Sequence, residues 1–250
     1  MSKHCRKHLA WQPFIPLRKS KMRKYVLVII SLIAVNCHAQ FRKDPIINLE
    51  NFDKPRVHWG YFLGFNSYDF KFDYKLPTED ILVESTIGFN VGLVGNLRLH
   101  EYIDLRFEPG LYYTQRNLTF PGFTEEIDRL REVKSTYIHF PLLLKFSSLR
   151  TGNVRPFLVG GVSTTLNLSS NSKLKDDNLQ QRFRVNPWTT NYEIGFGVDL
   201  YFEYFKFSPS IRGVFGFSDE LIRDNDPLSA YTSNVESMKT RAILINFTFH

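Results

Sequence analysis

The sequence predicts an all-β fold, an eight-stranded antiparallel up-and-down transmembrane β-barrel, on three observations. Apolar and polar residues alternate with period 2 from residue 57 to the end, with no sustained 3.6-residue apolar period. The links between alternating segments are by turns short and long. Aromatics make up 15% of the chain, with 23 Phe and 12 Tyr against 3 Met, a balance that favours strands over helices.

Residues 1–39 stand apart from this pattern. Arg23 and Lys24 precede an apolar run over residues 25–35, and Asn36-Cys37-His38-Ala39 leads into Gln40. A basic region, a short apolar core and a small residue before the cut describe a secretory signal with cleavage after Ala39. The run is too short to span a bilayer, which takes roughly 20 apolar residues. Met22 is the expected start, because the signal is complete without the preceding residues. Cys37 lacks a lipidation context, since Asn36 stands where a small residue is needed. The other cysteine, Cys5, is also removed, so the mature chain has no thiol for disulfides, catalysis or metal. Residues 40–55 then form a short polar segment on the periplasmic side, and residues 56–250 form the barrel.

The first strand sets Val57, Trp59, Tyr61, Leu63 and Phe65 against His58, Gly60, Phe62, Gly64 and Asn66. The second opposes Ile87, Phe89, Val91, Leu93 and Leu97 to Gly88, Asn90, Gly92 and Asn96, and the third opposes Ile103, Leu105, Phe107, Leu111 and Tyr113 to Asp104, Arg106, Glu108 and Gly110. In the fourth, Ile138, Phe140, Leu142, Leu144 and Phe146 face away from Tyr137, His139, Pro141 and Lys145. A less regular fifth covers residues 157–168. The sixth, seventh and eighth carry Ile194, Phe196 and Val198, then Phe207, Ile211 and Phe215, then Ile243, Ile245, Phe247 and Phe249 on their apolar faces. Short links centre on Glu101, residues 148–153 and Glu203. The long ones are expected over residues 67–85, 115–135, 169–186 and 219–239. Both termini then lie on the short-turn side, the pattern of outer-membrane barrels with periplasmic termini and long external loops.

Alternation alone does not say which face is inside. Gly60, Gly64, Gly88, Gly92, Gly195, Gly197 and Gly216 fall on the polar face, with Gly95 and Gly213 as exceptions. An eight-stranded lumen is narrow, so the glycine-rich face points inward and the bulky face toward lipid. A soluble barrel with an apolar interior is the rival. A charge on the lipid face would cost roughly 2–4 kcal/mol at the midplane, and the apolar positions carry none. Arg at Leu93 is therefore expected to harm the barrel more than Arg at Asn90. Trp59, Phe146, Phe202 and Phe249 at the short-turn ends, and Phe65, Tyr113 and Trp188 at the loop ends, form two candidate membrane girdles.

The net charge of +7 would suggest an anionic partner, but residues 1–39 hold eight basic and no acidic residues. The remainder carries 24 basic against 25 acidic, a net charge of −1. A nucleic-acid partner is accordingly not expected, since phosphate binding needs a basic surplus on the folded domain. The expected partners are outer-membrane lipid and other proteins.

Asn48-Leu49-Glu50-Asn51-Phe52-Asp53-Lys54-Pro55, followed by His58-Trp59-Gly60-Tyr61-Phe62-Leu63-Gly64-Phe65-Asn66, resembles the PorT family of Bacteroidota. So do residues 137–145 (YIHFPLLLK) and Arg155-Pro156-Phe157 with Gly160-Gly161, stretches shared by many small barrels of that phylum. The likeness covers nearly all of the mature chain. It implies an outer-membrane barrel required for type IX protein secretion and, in gliding species, for motility. The family offers no catalytic residues, and neither an enzyme nor a cofactor is expected. The chain's C-terminal Phe247 and Phe249 resemble a barrel-assembly signal, with His250 departing from the usual terminal aromatic.

Two groups of side chains stand out. Arg98, Asp104, Arg106, Glu108, Lys145, Glu193, Asp199, Lys206 and Arg212 share the polar face. They read as a closed lumen network of ion pairs, with a conduit or an acid/base site as the competing roles. Asn51, Phe52, Asp53 and Lys54 form the best-placed peptide for contacting a secretion partner. His58, His100 and His139 come from different strands and are not expected to converge on a metal. A lipid-modifying barrel enzyme would need Ser or His with a carboxylate at the lipid-facing rim, whereas His139 and Ser163 are polar-face or ambiguous in their strands. A generic surface-loop barrel that binds extracellular ligands is the second reading of function.

Overall fold

The computed structural model describes residues 46–77, 80–123, 125–172, 183–226 and 229–250, and Ile46–His250 form one unit. The signal segment, the cut after Ala39 and residues 40–45 lie outside the described residues. Ten strands follow: β1 (Val57–Tyr74), β2 (Leu82–Ser85), β3 (Ile87–Arg98), β4 (Ile103–Phe107), β5 (Gly110–Thr119), β6 (Leu130–Ser147), β7 (Val154–Asn167), β8 (Trp188–Tyr201), β9 (Lys206–Gly216) and β10 (Val235–Phe249). One short helix, α1 (Glu126–Arg129), leads into β6.

These ten strands make eight staves, because two staves are interrupted. Pro109 has no N–H to give a ladder, and it separates β4 from β5. The register nevertheless carries through, from Gly95↔Phe107 to Gly92↔Gly110. β2 and β3 part at Thr86, where pairing with β5 slips by one residue between Ser85↔Arg116 and Phe89↔Tyr113. Thr86 there turns both its N–H (3.1 Å) and its hydroxyl (2.8 Å) onto the Gln115 carbonyl, a bulge that keeps its donors satisfied. Every stave pairs antiparallel with the next. β1 then meets β10 from Tyr61↔Phe249 to Tyr74↔Val235, which closes the ring, while beyond Ser67 β1 pairs only with β10 and β2 only with β5.

The faces fall as the glycine argument requires. Trp59 is 76% exposed and Leu93 and Ile194 are each 63% exposed, whereas Asn66, Asn90, Asn191 and Asn246 are buried. The lumen is less polar than its alternation suggests, however. Phe62, Val94, Tyr112, Leu143 and Leu244 point inward and are fully buried. Glycines make the space for them. A Cβ on Gly92 or Gly110 would come within 2.6 or 2.7 Å of the Phe62 ring, so the missing side chains of β3 and β5 form a socket for β1's phenylalanine.

The long links are shorter than the sequence suggests. β1 continues to Tyr74, β5 reaches Thr119, and β6 and β10 begin at Leu130 and Val235. Beyond the lipid-facing band these extensions keep alternating, with ion pairs such as Asp69–Arg241 (2.7 Å) outside and Phe70, Leu118, Val133 and Met238 inside. Phe120, Phe183, Val185, Leu221 and Tyr231 from the links pack onto that inner set. An apolar core thus fills the long-loop end and gives the projecting strands something to bury, which alternation outside a membrane otherwise lacks.

Candidate functional site

Below that core, toward the short turns, lies a belt of buried charges. Glu108 takes Arg106 at 3.0 Å and Arg212 at 2.5 Å, and Arg212 reaches on to Glu193 at 3.3 Å. His139 Nε2 stands 2.7 Å from Glu193, with its Nδ1 2.9 Å from the Thr165 hydroxyl. Asp199 holds Lys145 at 2.6 Å, accepts from the Ser208 hydroxyl at 2.6 Å and lies 3.6 Å from Lys206. All these charged residues are buried. Alternation supplies the direction of each side chain, and a missing side chain supplies room, since a Cβ on Gly195 would lie 2.5 Å from Arg212 Cγ. Charges this deep persist only when paired, and taking one partner away costs about 3–5 kcal/mol.

Residues 46–55 close the short-turn mouth. Asn48 donates its N–H to Asn153 Oδ1 (2.9 Å) and its amide to the Tyr201 carbonyl (3.1 Å). Arg150 donates to the Asn48 and Leu49 carbonyls while its guanidinium lies 3.7 Å over the Tyr201 ring. Phe52 stacks on His58 at 4.9 Å, and Lys206 Nζ sits 5.0 Å from the centre of the Phe52 ring. The Asp53 carboxylate accepts from the Tyr201 hydroxyl (2.5 Å) and lies 3.6 Å from Arg155 and 3.7 Å from Lys206, while its carbonyl accepts from Arg98. His250 completes the seal. Its Nε2 is 3.2 Å from Arg106 Nη2, which can only donate, and its Nδ1 is 3.4 Å from the Trp59 carbonyl, so the ring is neutral with its proton on Nδ1. Burial, with Arg106 and Lys206 close by, holds this imidazole down to about 2.

Of the nine residues read as a lumen network, seven are joined in the belt. Arg98 and Asp104 are not: both are half-buried at the rim, where Arg98 serves the cap and Asp104 makes no ion pair among the described residues. Their strand ends lie where the lumen opens, so the polar face there meets water. Of the four residues read as a partner peptide, Phe52 and Asp53 are turned into the mouth, and Asn51 and Lys54 are exposed. Trp59, Phe65, Tyr113, Phe146, Trp188, Phe202 and Phe249 all lie on the outer face. His100 is exposed beside Tyr102, His58 is under Phe52, and His139 is inside the barrel with both nitrogens engaged, so the three do not meet. Ser163 is also interior rather than at a lipid-facing rim. Sequence reading missed Arg150, Asn153 and Tyr201, whose turn and strand-end positions carry no periodic signal.

A closed ring of eight antiparallel staves, apolar outside and charged within, defines an outer-membrane β-barrel. The chain belongs to the family of outer membrane protein beta-barrel domains, whose model matches residues 39–221. No curated protein sequence matches it. Among solved structures it is similar to the outer membrane protein OprG from Pseudomonas aeruginosa, at 16% identity over 77% of this chain and 93% of that one, with a TM-score of 0.42. AlkL, solved in DMPC lipid bilayers, is 14% identical over 84% and 92%, with a TM-score of 0.40. Ail, the attachment invasion locus protein of Yersinia pestis, is 10% identical over 76% and 96%, with a TM-score of 0.31.

Proposed function

We propose that this barrel is a non-enzymatic component of type IX protein secretion that works through protein contacts rather than as a conduit. One observation carries the mode of action: the interior is occupied from end to end, by the loop-side core, the ion-pair belt and the cap of residues 46–55. Such a barrel has no room for a folded cargo, so its role runs through its two ends. The resemblance of residues 48–66 and 137–145 to the PorT family supports the particular system. On this reading the short turns, the cap and both termini are periplasmic, and Asn51 and Lys54 on the exposed side of the cap meet the partner.

Deleting the gene and following cargo tests the assignment. Cargo is expected to accumulate in the periplasm while general outer-membrane integrity survives. Normal secretion without the gene would remove this reading and favour a barrel whose long loops bind an external ligand. With barrel levels unchanged, Asn51→Ala with Lys54→Ala is expected to impair export more than shortening the loop at residues 169–186.

A further inference from the structure

The cap treats the mouth as a receptor treats a peptide. Its aromatic ring lies between an imidazole and an ammonium group, His58 at 4.9 Å and Lys206 at 5.0 Å. Its one inward carboxylate, on Asp53, meets Tyr201, Arg155 and Lys206, and its carbonyls take Arg98 and Arg150. The four basic residues come from β3, the turn after β6, β7 and β9, so the barrel wall presents them independently of the cap. Among the wall's carboxylates, Asp199 is shared between Lys145 (2.6 Å) and Lys206 (3.6 Å) and Asp104 is half-buried at the rim, which leaves the basic groups in excess. Without the cap the mouth would therefore be cationic and aromatic, a combination that recognises acidic segments bearing an aromatic side chain.

We propose that the short-turn mouth is a peptide-recognition site for a turn that presents an aromatic residue followed by a carboxylate. Phe52-Asp53 fills it in cis, and an acidic, aromatic-bearing segment of a partner protein competes for it in trans. This rests on the reading that the barrel acts through protein contacts at this end. The cis copy is tethered a few residues from β1, which gives it an effective concentration on the order of millimolar. A free peptide at micromolar concentration cannot displace it, and only a partner that is itself held nearby, or a weakened cap, reveals the site.

The test uses the full-length barrel in detergent and a fluorescent peptide of residues 46–56, followed by anisotropy. The wild-type barrel is expected to bind weakly. Phe52→Ala with Asp53→Ala in the barrel should tighten peptide binding at least tenfold, and adding Lys206→Ala should abolish the gain. A peptide in which alanine replaces Asp53 should bind at least tenfold more weakly. If the double variant fails to close, as judged by its heat-modifiable mobility, Asp53→Asn replaces it, because this keeps the shape and removes the charge. No gain over wild type in a closed variant, or equal binding of the alanine-substituted peptide, overturns the proposal. Secretion is scored separately in the gene deletion: loss of export with no peptide binding would reject the mouth as receptor, and binding with normal export would reject the secretion role.

Discussion

The Tyr201 hydroxyl donates to the Asp53 carboxylate across 2.5 Å, although the two residues are 148 positions apart. Because Lys206 lies 3.7 Å from Asp53 and 3.6 Å from Asp199, this contact joins the cap to the lumen belt. Tyr201→Phe keeps the ring under Arg150 and removes only the hydroxyl. It should cost about 1 kcal/mol of barrel stability and make a cysteine placed at the half-buried Leu49 more reactive toward a thiol reagent. Unchanged reactivity would mean that the cap does not depend on this bond.

Within the belt, Glu108 bridges two arginines. Glu108→Gln leaves Arg106 and Arg212 facing a neutral amide and should destabilise the barrel by about 3–5 kcal/mol in denaturant titrations. Asp53→Asn removes a charge from a partly exposed group and should cost about 1 kcal/mol or less. Equal effects would show that the belt is not deeper, in energetic terms, than the rim.

Leu93→Arg puts a charge on the lipid face and should cost roughly 2–4 kcal/mol in bilayers. Asn90→Arg is not the mild control that its polar face suggested. Asn90 is 1% exposed and donates to Asn246 Oδ1 at 2.7 Å, so an arginine there overpacks a filled lumen at about 1–3 kcal/mol. A cleaner probe of lumen packing is Phe62→Ala, which empties the socket made by Gly92 and Gly110 and should cost about 3–5 kcal/mol.

His250 gives the barrel a pH dependence of definite sign. Folding holds its imidazole neutral, whereas the unfolded chain takes up a proton once the pH falls below the ordinary value of 6.5. Stability contributed by this residue is therefore complete above pH 6.5 and is lost as the pH falls toward 2, by at most about 1.4 kcal/mol per pH unit. His250→Gln should flatten the stability profile between pH 6.5 and 5. An unaltered slope would assign the acid sensitivity to other groups.

Much of this architecture is legible in residue order, for a physical reason. A strand between lipid and lumen must alternate, so Leu93 and Asn90 declare their faces without any knowledge of partners. What alternation omits is how the inside is filled. Phe62 occupies an inward position because Gly92 and Gly110 on other staves leave volume there, and no local pattern encodes a socket built from distant strands. Phe70, Leu118 and Met238 were hidden for a related reason, since they alternate against charged neighbours outside the bilayer. Phe52 and Asp53 read as a free peptide because their partners, Tyr201 and Lys206, lie far along the chain.

The position of the cap also imposes an order of events during biogenesis. Residues 46–55 emerge before every strand, but the groups that hold them, Arg98, Arg150, Asn153, Arg155, Tyr201 and Lys206, are spread from β3 to the start of β9. The contacts therefore have large sequence separation, the kind whose loop-closure entropy slows folding. The segment cannot be fully seated until Tyr201 and Lys206 are in place, so its seating is completed late although its synthesis precedes the strands. Full protection of residues 46–55 from a protease would thus report the arrival of β8 and β9, lagging the appearance of the first strands.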